Sequence, residues 1–128
     1  MFFLFVLVDQ ASKLWVIQHG SCGELACSYF KNDNFAFSLK VAHPIAYFIY
    51  AILLAALIVW FAKKKNKTTL INLSFVLILS GALSNIGERL VRGYVVDFIK
   101  IHTGVLNFAD FFIIAGILIL VFEKPTQN

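Results

Sequence analysis

Two aspartates, Asp97 and Asp110, are the residues in this chain best suited to carry chemistry. Asp97 lies in the segment GYVVDFI, and Asp110 lies 13 residues later, near the start of an apolar run. An ionisable side chain inside a membrane span is energetically costly and therefore calls for a specific role. If the short connection between them returns to the membrane, both carboxylates lie at the same end of the helices.

Two carboxylates within a few ångströms of each other cannot both ionise easily, so such a pair holds one proton over a useful pH range. One carboxylate then acts as a base toward water, while the protonated one polarises a peptide carbonyl. This is the chemistry of an aspartic peptidase. The spacing alone leaves two alternatives open, a structural pairing with Arg89 or Arg92 and a proton relay in a small four-helix transporter.

The elements that must hold these residues are those of a membrane protein. The chain of 128 residues is 60% hydrophobic and 14% charged, and its mean hydropathy is +0.84. These values exclude an ordinary soluble domain and indicate a polytopic membrane protein. We predict an all-α fold in a single domain, residues 1–128, with four transmembrane helices at about 2–18, 41–62, 68–86 and 105–122.

The first predicted span carries two charges, Asp9 and Lys13. They are four residues apart, so a helix places them on one face, where pairing reduces the cost of burying either charge. We interpret them as a structural ion pair that orients the span rather than as part of the chemistry. The segment has no basic N-terminal region and charge interrupts its apolar core, so we expect a retained helix rather than a cleaved signal.

Residues 20–40 are polar, turn-rich and interleaved with aromatic side chains, a pattern typical of short strands or an interfacial aromatic surface. We expect this segment to form a small, β-rich extracytoplasmic platform after the first helix. Cys22 and Cys27 lie within it and could pair outside the cytoplasm, although their spacing favours two separate thiols. His43 has no nearby metal-ligand partner in the sequence, and we interpret it as a polar anchor at the membrane interface.

A group of lysines follows the second predicted span: Lys63, Lys64, Lys65 and Lys67. The formal net charge is +4, but in a membrane protein such a group is a topology determinant rather than a nucleic-acid-binding patch. It favours a cytoplasmic position for this loop. With four spans, both termini are then cytoplasmic, and Asp97 and Asp110 lie at the extracytoplasmic face.

Five short motifs resemble, in the same order, those of the lipoprotein signal peptidases, also called signal peptidase II. The motifs are DQASK at 9–13, NDNFAFS at 32–38, SNIGER at 84–89, GYVVDF at 93–98 and NFAD at 107–110. They are similar to the family patterns DQxxK, NxGxAFS, GNxxDR, GxVVDF and NxAD. The last two are the most specific, and together the five cover the chain from the first predicted span to the fourth.

The resemblance implies a bacterial inner-membrane aspartic endopeptidase with no metal and no organic cofactor. Its reaction would remove the signal peptide from a diacylglyceryl-modified prolipoprotein by cleavage before the lipidated cysteine. Asp97 and Asp110 would be the catalytic pair. Four further residues would bind substrate or position the pair: Asn32, Asn85, Arg89 and Asn107. The implied partners are the prolipoprotein and membrane lipids, without nucleic acid, and we expect a monomer.

Helical spacing makes these implied roles plausible. Asn85 and Arg89 are four residues apart and share a face if the third helix continues that far. Asn107 and Asp110 are three residues apart, so on a helix the amide can form a hydrogen bond near the carboxylate.

Three positions depart from the family patterns. Asn34 and Ser84 stand where the family usually has glycine, and Glu88 replaces aspartate. Asparagine tolerates positive φ better than most residues, serine is small enough for close helix packing, and glutamate keeps the charge on a longer side chain. The departures keep open a non-catalytic relative that binds lipidated or signal-peptide helices, although the two intact aspartates argue against it.

Overall fold

The structure is a computed structural model that describes residues 1–20, 27–33, 43–102 and 104–123, without the side chains of Cys27, Ser28 and His43. Its elements, in chain order, are α1 (Phe2–His19), β1 (Cys27–Asn32), α2 (His43–Lys63), α3 (Thr69–Arg92), β2 (Val95–Ile101), β3 (Gly104–Leu106) and α4 (Phe108–Phe122). The predictions for pairing of the two cysteines, for the turn at Asn34 and for the His43 side chain lie outside the described residues.

The fold is mostly helical, as predicted, and its three-stranded antiparallel sheet of order β1-β2-β3 extends beyond the β-rich segment predicted after the first helix. Within it, Phe30 lies opposite Asp97, and Ile99 lies opposite Leu106. The expected strand-forming pattern between residues 20 and 40 is present as β1. The other two strands come from the connection between α3 and α4, where the run VVDFIKI is rich in β-branched residues that favour a paired strand.

The ends of α3 are set by specific local signals. Thr68 caps the start, since its side chain accepts a hydrogen bond from the Ile71 amide at 3.2 Å. Gly93 stops the helix with a left-handed backbone, φ 82°, and its amide donates to the carbonyl of Arg89 at 2.9 Å. The helix therefore continues past residue 86, the predicted end of the third span, and carries Asn85 and Arg89 on regular helical turns.

Close packing of α3 against α4 depends on two glycines. A Cβ atom on Gly81 would collide with the carbonyl oxygen of Ala109 and would lie 2.8 Å from the Ile113 side chain. A Cβ atom on Gly116 would lie 2.8 Å from the carbonyl oxygen of Ser74. Small residues at a helix interface let the two backbones approach closely. The first turn of α4 is thereby held against the middle of α3.

The start of α4 differs from the predicted start of the fourth span at residue 105. Val105 pairs with Lys100 of β2, so this residue belongs to strand β3. Asn107 caps the helix, which begins at Phe108. The strand and the cap together place Asp110 in the first turn of α4, next to the sheet.

Two helices among the described residues are long and apolar enough to cross a membrane. They cover Pro44–Lys63, with a mean hydropathy of 2.5, and Thr69–Arg92, with a mean hydropathy of 1.7. Helix α2 leaves large apolar side chains such as Phe48 and Leu53 exposed, as expected of a surface that faces lipid. Length and composition alone thus support two of the four predicted spans, and the protein has the character of a membrane protein.

A small apolar cluster joins the sheet to the helices. Val96 and Phe98 of β2 are buried against Val16 near the end of α1, and the Phe98 ring meets the Phe108 ring edge-on at 5.6 Å. Neighbouring residues on a strand point to opposite faces of the sheet. Because Val96 and Phe98 flank it, Asp97 points away from this cluster.

Candidate active site

The start of α4 is built around a reciprocal cap between Asn107 and Asp110. The Asp110 amide donates to Asn107 Oδ1 at 3.0 Å, and the Asn107 amide donates to Asp110 Oδ2 at 3.2 Å. Two backbone N–H groups that the helix leaves unpaired are thereby satisfied. The contact expected from the spacing of these residues is present, but Asn107 precedes the helix and does not lie on its face.

Asp97 is almost fully buried, with 1% of its surface exposed. Both of its carboxylate oxygens accept hydrogen bonds from asparagine amides. Asn107 Nδ2 donates to Oδ1 at 2.6 Å, and Asn32 Nδ2 donates to Oδ2 at 2.8 Å. Burial raises the pKa of Asp97 to about 6, and the nearby charge of Asp110 also raises it, while the two amide donors oppose the shift.

Asn85 connects α3 to both parts of this cluster. Its Nδ2 donates to Asp110 Oδ1 at 2.9 Å, and its Oδ1 accepts from Asn107 Nδ2 at 3.2 Å. The structure therefore brings together both predicted catalytic aspartates and three of the four other predicted site residues. The three asparagines are largely buried, with between 0% and 7% of their surface exposed, and their side-chain amides donate to the carboxylates.

Asp9 and Lys13 lie directly behind this cluster and are fully buried. Their side chains form an ion pair with an Nζ–Oδ2 distance of 2.8 Å, as their spacing predicts. Asp9 also accepts hydrogen bonds from Ser84 Oγ at 2.7 Å and from the amide of Ala109 at 2.9 Å. One carboxylate on α1 thus contacts both α3 and the first turn of α4.

Several contacts of the site could not be read from the sequence. Lys13 forms a second ion pair, 2.8 Å from Glu88 Oε2, and Glu88 in turn lies 3.5 Å from Arg92 Nη1. Ser84, predicted only to permit close packing, donates to one buried side chain and accepts from Gln10 Nε2 at 2.9 Å. Serine, lysine and glutamate side chains can form hydrogen bonds and ion pairs of this kind. Which residues pair depends on how α1 packs against α3.

Arg89 lies on the side of α3 that faces α2. Its guanidinium is 5.5 Å from the centre of the Tyr50 ring, and the Tyr47 hydroxyl donates to its carbonyl oxygen at 3.4 Å. Glu88, the residue before it, forms ion pairs with Lys13 and Arg92. Arg89 is half-buried, which leaves part of its surface accessible.

The arrangement suits acid–base chemistry by a pair of carboxyl groups. Asp110 is partly exposed whereas Asp97 is buried, and one asparagine contacts both. Within the part of the chain that the structure describes, no group of three or more His, Cys, Asp or Glu side chains is arranged to hold a metal ion.

Known proteins share both the sequence and the fold. The family model described as signal peptidase (SPase) II matches residues 1–124. The lipoprotein signal peptidase of Caldicellulosiruptor bescii is 41% identical over 101 residues, which cover 78% of this chain and 67% of that protein. The lipoprotein signal peptidase of Psychromonas ingrahamii is 33% identical over 138 residues, which cover 94% of this chain and 80% of that protein.

The fold resembles that of a bacterial membrane enzyme whose structure was determined by the in meso method at 2.3 Å resolution. The two chains superpose with a TM-score of 0.83 over 99% of this chain and 91% of the other, at 22% sequence identity. The match to the family model spans nearly the whole chain, and it includes every motif that suggested the resemblance. The chain therefore belongs to the signal peptidase II family, membrane peptidases that process lipoproteins.

Proposed function

We propose that this protein is an aspartic endopeptidase in which Asp97 and Asp110 form the catalytic pair. Its substrate is a prolipoprotein with a diacylglyceryl-modified cysteine, and cleavage occurs at the peptide bond before that cysteine. The products are the free signal peptide and a lipoprotein that begins with the lipidated cysteine. Family membership supports the substrate class, and the geometry around the aspartates supports the type of catalysis.

The observation that carries the proposal is the position of Asn107 between the two aspartates. Its side-chain amide donates to Asp97 at 2.6 Å, and its backbone amide donates to Asp110 at 3.2 Å. A strand and a helix that are separate elements are thus joined at the two carboxylates. One fully buried residue therefore orients both carboxylates relative to each other.

The proposed reaction uses a single proton held by the pair. Burial raises the pKa of Asp97 to about 6, close to the physiological range, and two neighbouring carboxyl groups that repel each other's charge can together keep one proton. One carboxylate takes a proton from the attacking water, while the other donates its proton to the carbonyl oxygen of the scissile bond. A tetrahedral intermediate forms, and its collapse with protonation of the leaving nitrogen breaks the peptide bond.

The asparagines have a positioning role in this proposal. Asn32, Asn85 and Asn107 spend amide donors on the two carboxylates, and their burial leaves little surface for a substrate. They therefore support the pair rather than bind the peptide. Arg89, which is partly accessible, remains the proposed contact for substrate carbonyl groups.

The lipid of the substrate would hold the scissile bond at the membrane surface. Exposed apolar side chains along α2 suit contact with acyl chains. In the orientation that we propose, the lysine loop at 63–67 and both termini are cytoplasmic, and the sheet with the two aspartates lies at the extracytoplasmic face of the inner membrane. The proposed active form is a monomer.

Cleavage of a purified prolipoprotein that carries the diacylglyceryl cysteine tests the proposal directly. The wild-type protein in detergent micelles should release the signal peptide, while Asp97→Asn and Asp110→Asn should each abolish release and remain folded. Asp33→Asn is the matched control, because Asp33 is an exposed aspartate next to the sheet. Near-normal turnover by either catalytic variant would refute the assignment.

The same preparations distinguish the two alternative functions. A non-catalytic relative would retain the lipidated substrate without cleaving it, even with both aspartates present. A small transporter would show substrate-dependent proton flux in vesicles and no peptide product.

A further inference from the structure

The ammonium group of Lys13 lies close to three oxygen atoms from three side chains. Its Nζ lies 2.8 Å from Asp9 Oδ2, 2.8 Å from Glu88 Oε2 and 2.8 Å from Asn85 Oδ1. An ammonium carries three N–H donors and no acceptor. Because Lys13 is fully buried, its donors need protein partners, and the hydrogen bond to the neutral amide of Asn85 connects it to the aspartate pair.

The contact with Lys13 determines which end of the Asn85 amide faces which neighbour. Because the ammonium can only donate, the acceptor Oδ1 must point toward it. The donor Nδ2 is thereby directed at Asp110 Oδ1, 2.9 Å away. Asn107 Nδ2 donates to the same Oδ1, but at 3.2 Å and without a positive charge. Hydrogen bonds that involve a charged group are about twice as strong as neutral ones.

The charges around Lys13 balance without any contribution from Asn85. Two carboxylates, Asp9 and Glu88, are countered by Lys13 and by Arg92, which approaches Glu88 at 3.5 Å. Asp9 is further satisfied by neutral donors from α3 and α4. The group is therefore neutral overall, and the contact to Asn85 extends it toward the aspartate pair.

We propose that Lys13 is a positioning residue for Asp110 that acts through the amide of Asn85, in addition to its role in the buried ion pair. This inference rests on the proposed function, since it gives Lys13 a part in arranging the same two aspartates. A residue on α1 would then help to set the catalytic geometry between β2 and α4.

The same residue influences the ionisation of the pair. The positive charge of Lys13 lowers the pKa of Asp97, against the larger effect of burial. The other titratable or charged side chains described on the surrounding elements are Asp9 and His19 of α1, Tyr29 and Lys31 of β1, Glu88, Arg89 and Arg92 of α3, Lys100 of β2 and Asp110 of α4. Loss of the Lys13 charge should shift both limbs of the pH–rate profile to higher pH, because a nearby cation favours each ionised form.

Removal of Lys13 alone would leave two buried carboxylates with one cation fewer. The test therefore replaces Lys13 together with Glu88, which keeps the net charge of the group unchanged. Glu88→Gln is the control, and it keeps both Lys13 and Asn85. Lys13→Met in that background should lower kcat about 100-fold, in line with the cost of small misplacements of catalytic groups. KM should change little, because Lys13 does not contact the substrate. Thermal stability should fall, because the buried Asp9 loses its ion-pair partner, so kcat is measured at a temperature at which circular dichroism shows both proteins folded.

A double-mutant cycle with Asn85→Ala identifies the route of the effect. If Lys13 acts through Asn85, its replacement adds little further loss of kcat once Asn85 is absent, whereas independent roles give losses that multiply. A double variant at positions 13 and 88 with the kcat and the pH profile of Glu88→Gln would overturn the inference. Multiplying losses in the cycle would overturn the route.

If the double variant does not fold, Lys13→Arg in the otherwise unchanged protein tests the same inference. The guanidinium keeps the positive charge for the two carboxylates but displaces the donor that faces Asn85, so kcat should fall while stability is kept. An unchanged kcat would overturn the inference. Failure of the wild-type protein to cleave the lipidated substrate would instead refute the proposed function, so the two failures are distinguishable.

Discussion

Replacement of Asn107 by alanine removes three hydrogen bonds of the site at once. The side chain is fully buried, caps α4 and donates to Asp97 and Asn85. Loss of the cap costs about 1 kcal/mol. Loss of the bond to Asp97 costs about 1 kcal/mol when that carboxyl group is neutral and about 2 to 3 kcal/mol when it is ionised. Asn85 keeps its contact with Lys13, so the third bond contributes less.

These terms make the destabilisation depend on pH. The pKa of Asp97 in the folded protein is about 6, raised from 3.8 mainly by burial. Asn107 opposes that rise, so its removal moves the pKa of Asp97 higher still. At about pH 5 the carboxyl group is largely protonated, and Asn107→Ala should lower the free energy of unfolding by roughly 2 kcal/mol. At about pH 8 the expected loss is roughly 3 to 4 kcal/mol.

Unfolding in detergent micelles, followed by circular dichroism at both pH values, measures this difference. Asn107→Ser is the matched control, because serine retains the cap of α4 but cannot reach both partners. It should recover most of the cap energy while cleavage of the lipidated substrate stays strongly reduced. An equal loss of stability at both pH values, or wild-type turnover in Asn107→Ser, would refute the role assigned to this side chain.

Three further predictions concern stability. The free energy of unfolding of the wild-type protein should fall as pH rises from about 4 to about 6. The reason is that the folded state, with its raised Asp97 pKa, binds more protons in this range than the unfolded state. Asp97→Asn should flatten this dependence on pH. Gly81→Ala and Gly116→Ala should each lower the free energy of unfolding, measured by thermal unfolding, by about 1 to 3 kcal/mol. Gly87→Ala is the control, because nothing lies within 4 Å of the added carbon, and it should stabilise α3 by up to about 1 kcal/mol. Ser84→Gly removes a donor to a buried carboxylate of α1 and should cost about 1 to 3 kcal/mol by the same measurement, with kcat largely retained.

The helical part of the fold and the membrane character followed from local sequence properties. Apolar runs of sufficient length predicted α2 and α3, and the i, i+4 spacing of Asp9 and Lys13 predicted their ion pair. Strands β2 and β3 were not predicted, because their seven-residue and three-residue segments carry little signal until they pair with each other. Strand propensity reflects packing and pairing more than an intrinsic backbone preference.

The site could be predicted as a set of residues but not as a network. The motifs placed Asp97, Asp110, Asn85 and Asn107 in one group, and the structure brings these four together. Which amide faces which carboxylate depends on helix rotation and on the turn before α4. Neither can be read from spacing alone, which is why Asn107 was expected on a helical face instead of at a cap.

The departures at Ser84 and Glu88 act on α1 and not directly on the aspartate pair. Ser84 donates to Asp9, and Glu88 forms an ion pair with Lys13, whereas the described hydrogen bonds to the carboxylates of Asp97 and Asp110 come from asparagines. A serine hydroxyl supplies a donor that glycine lacks, and the longer glutamate still reaches the ammonium at 2.8 Å. The substitutions therefore change how the buried charges of α1 are satisfied. They reach the pair indirectly, through the contact of Lys13 with Asn85 and through the contact of Asp9 with the Ala109 amide next to Asp110, so divergence at these positions would affect catalysis by way of α1.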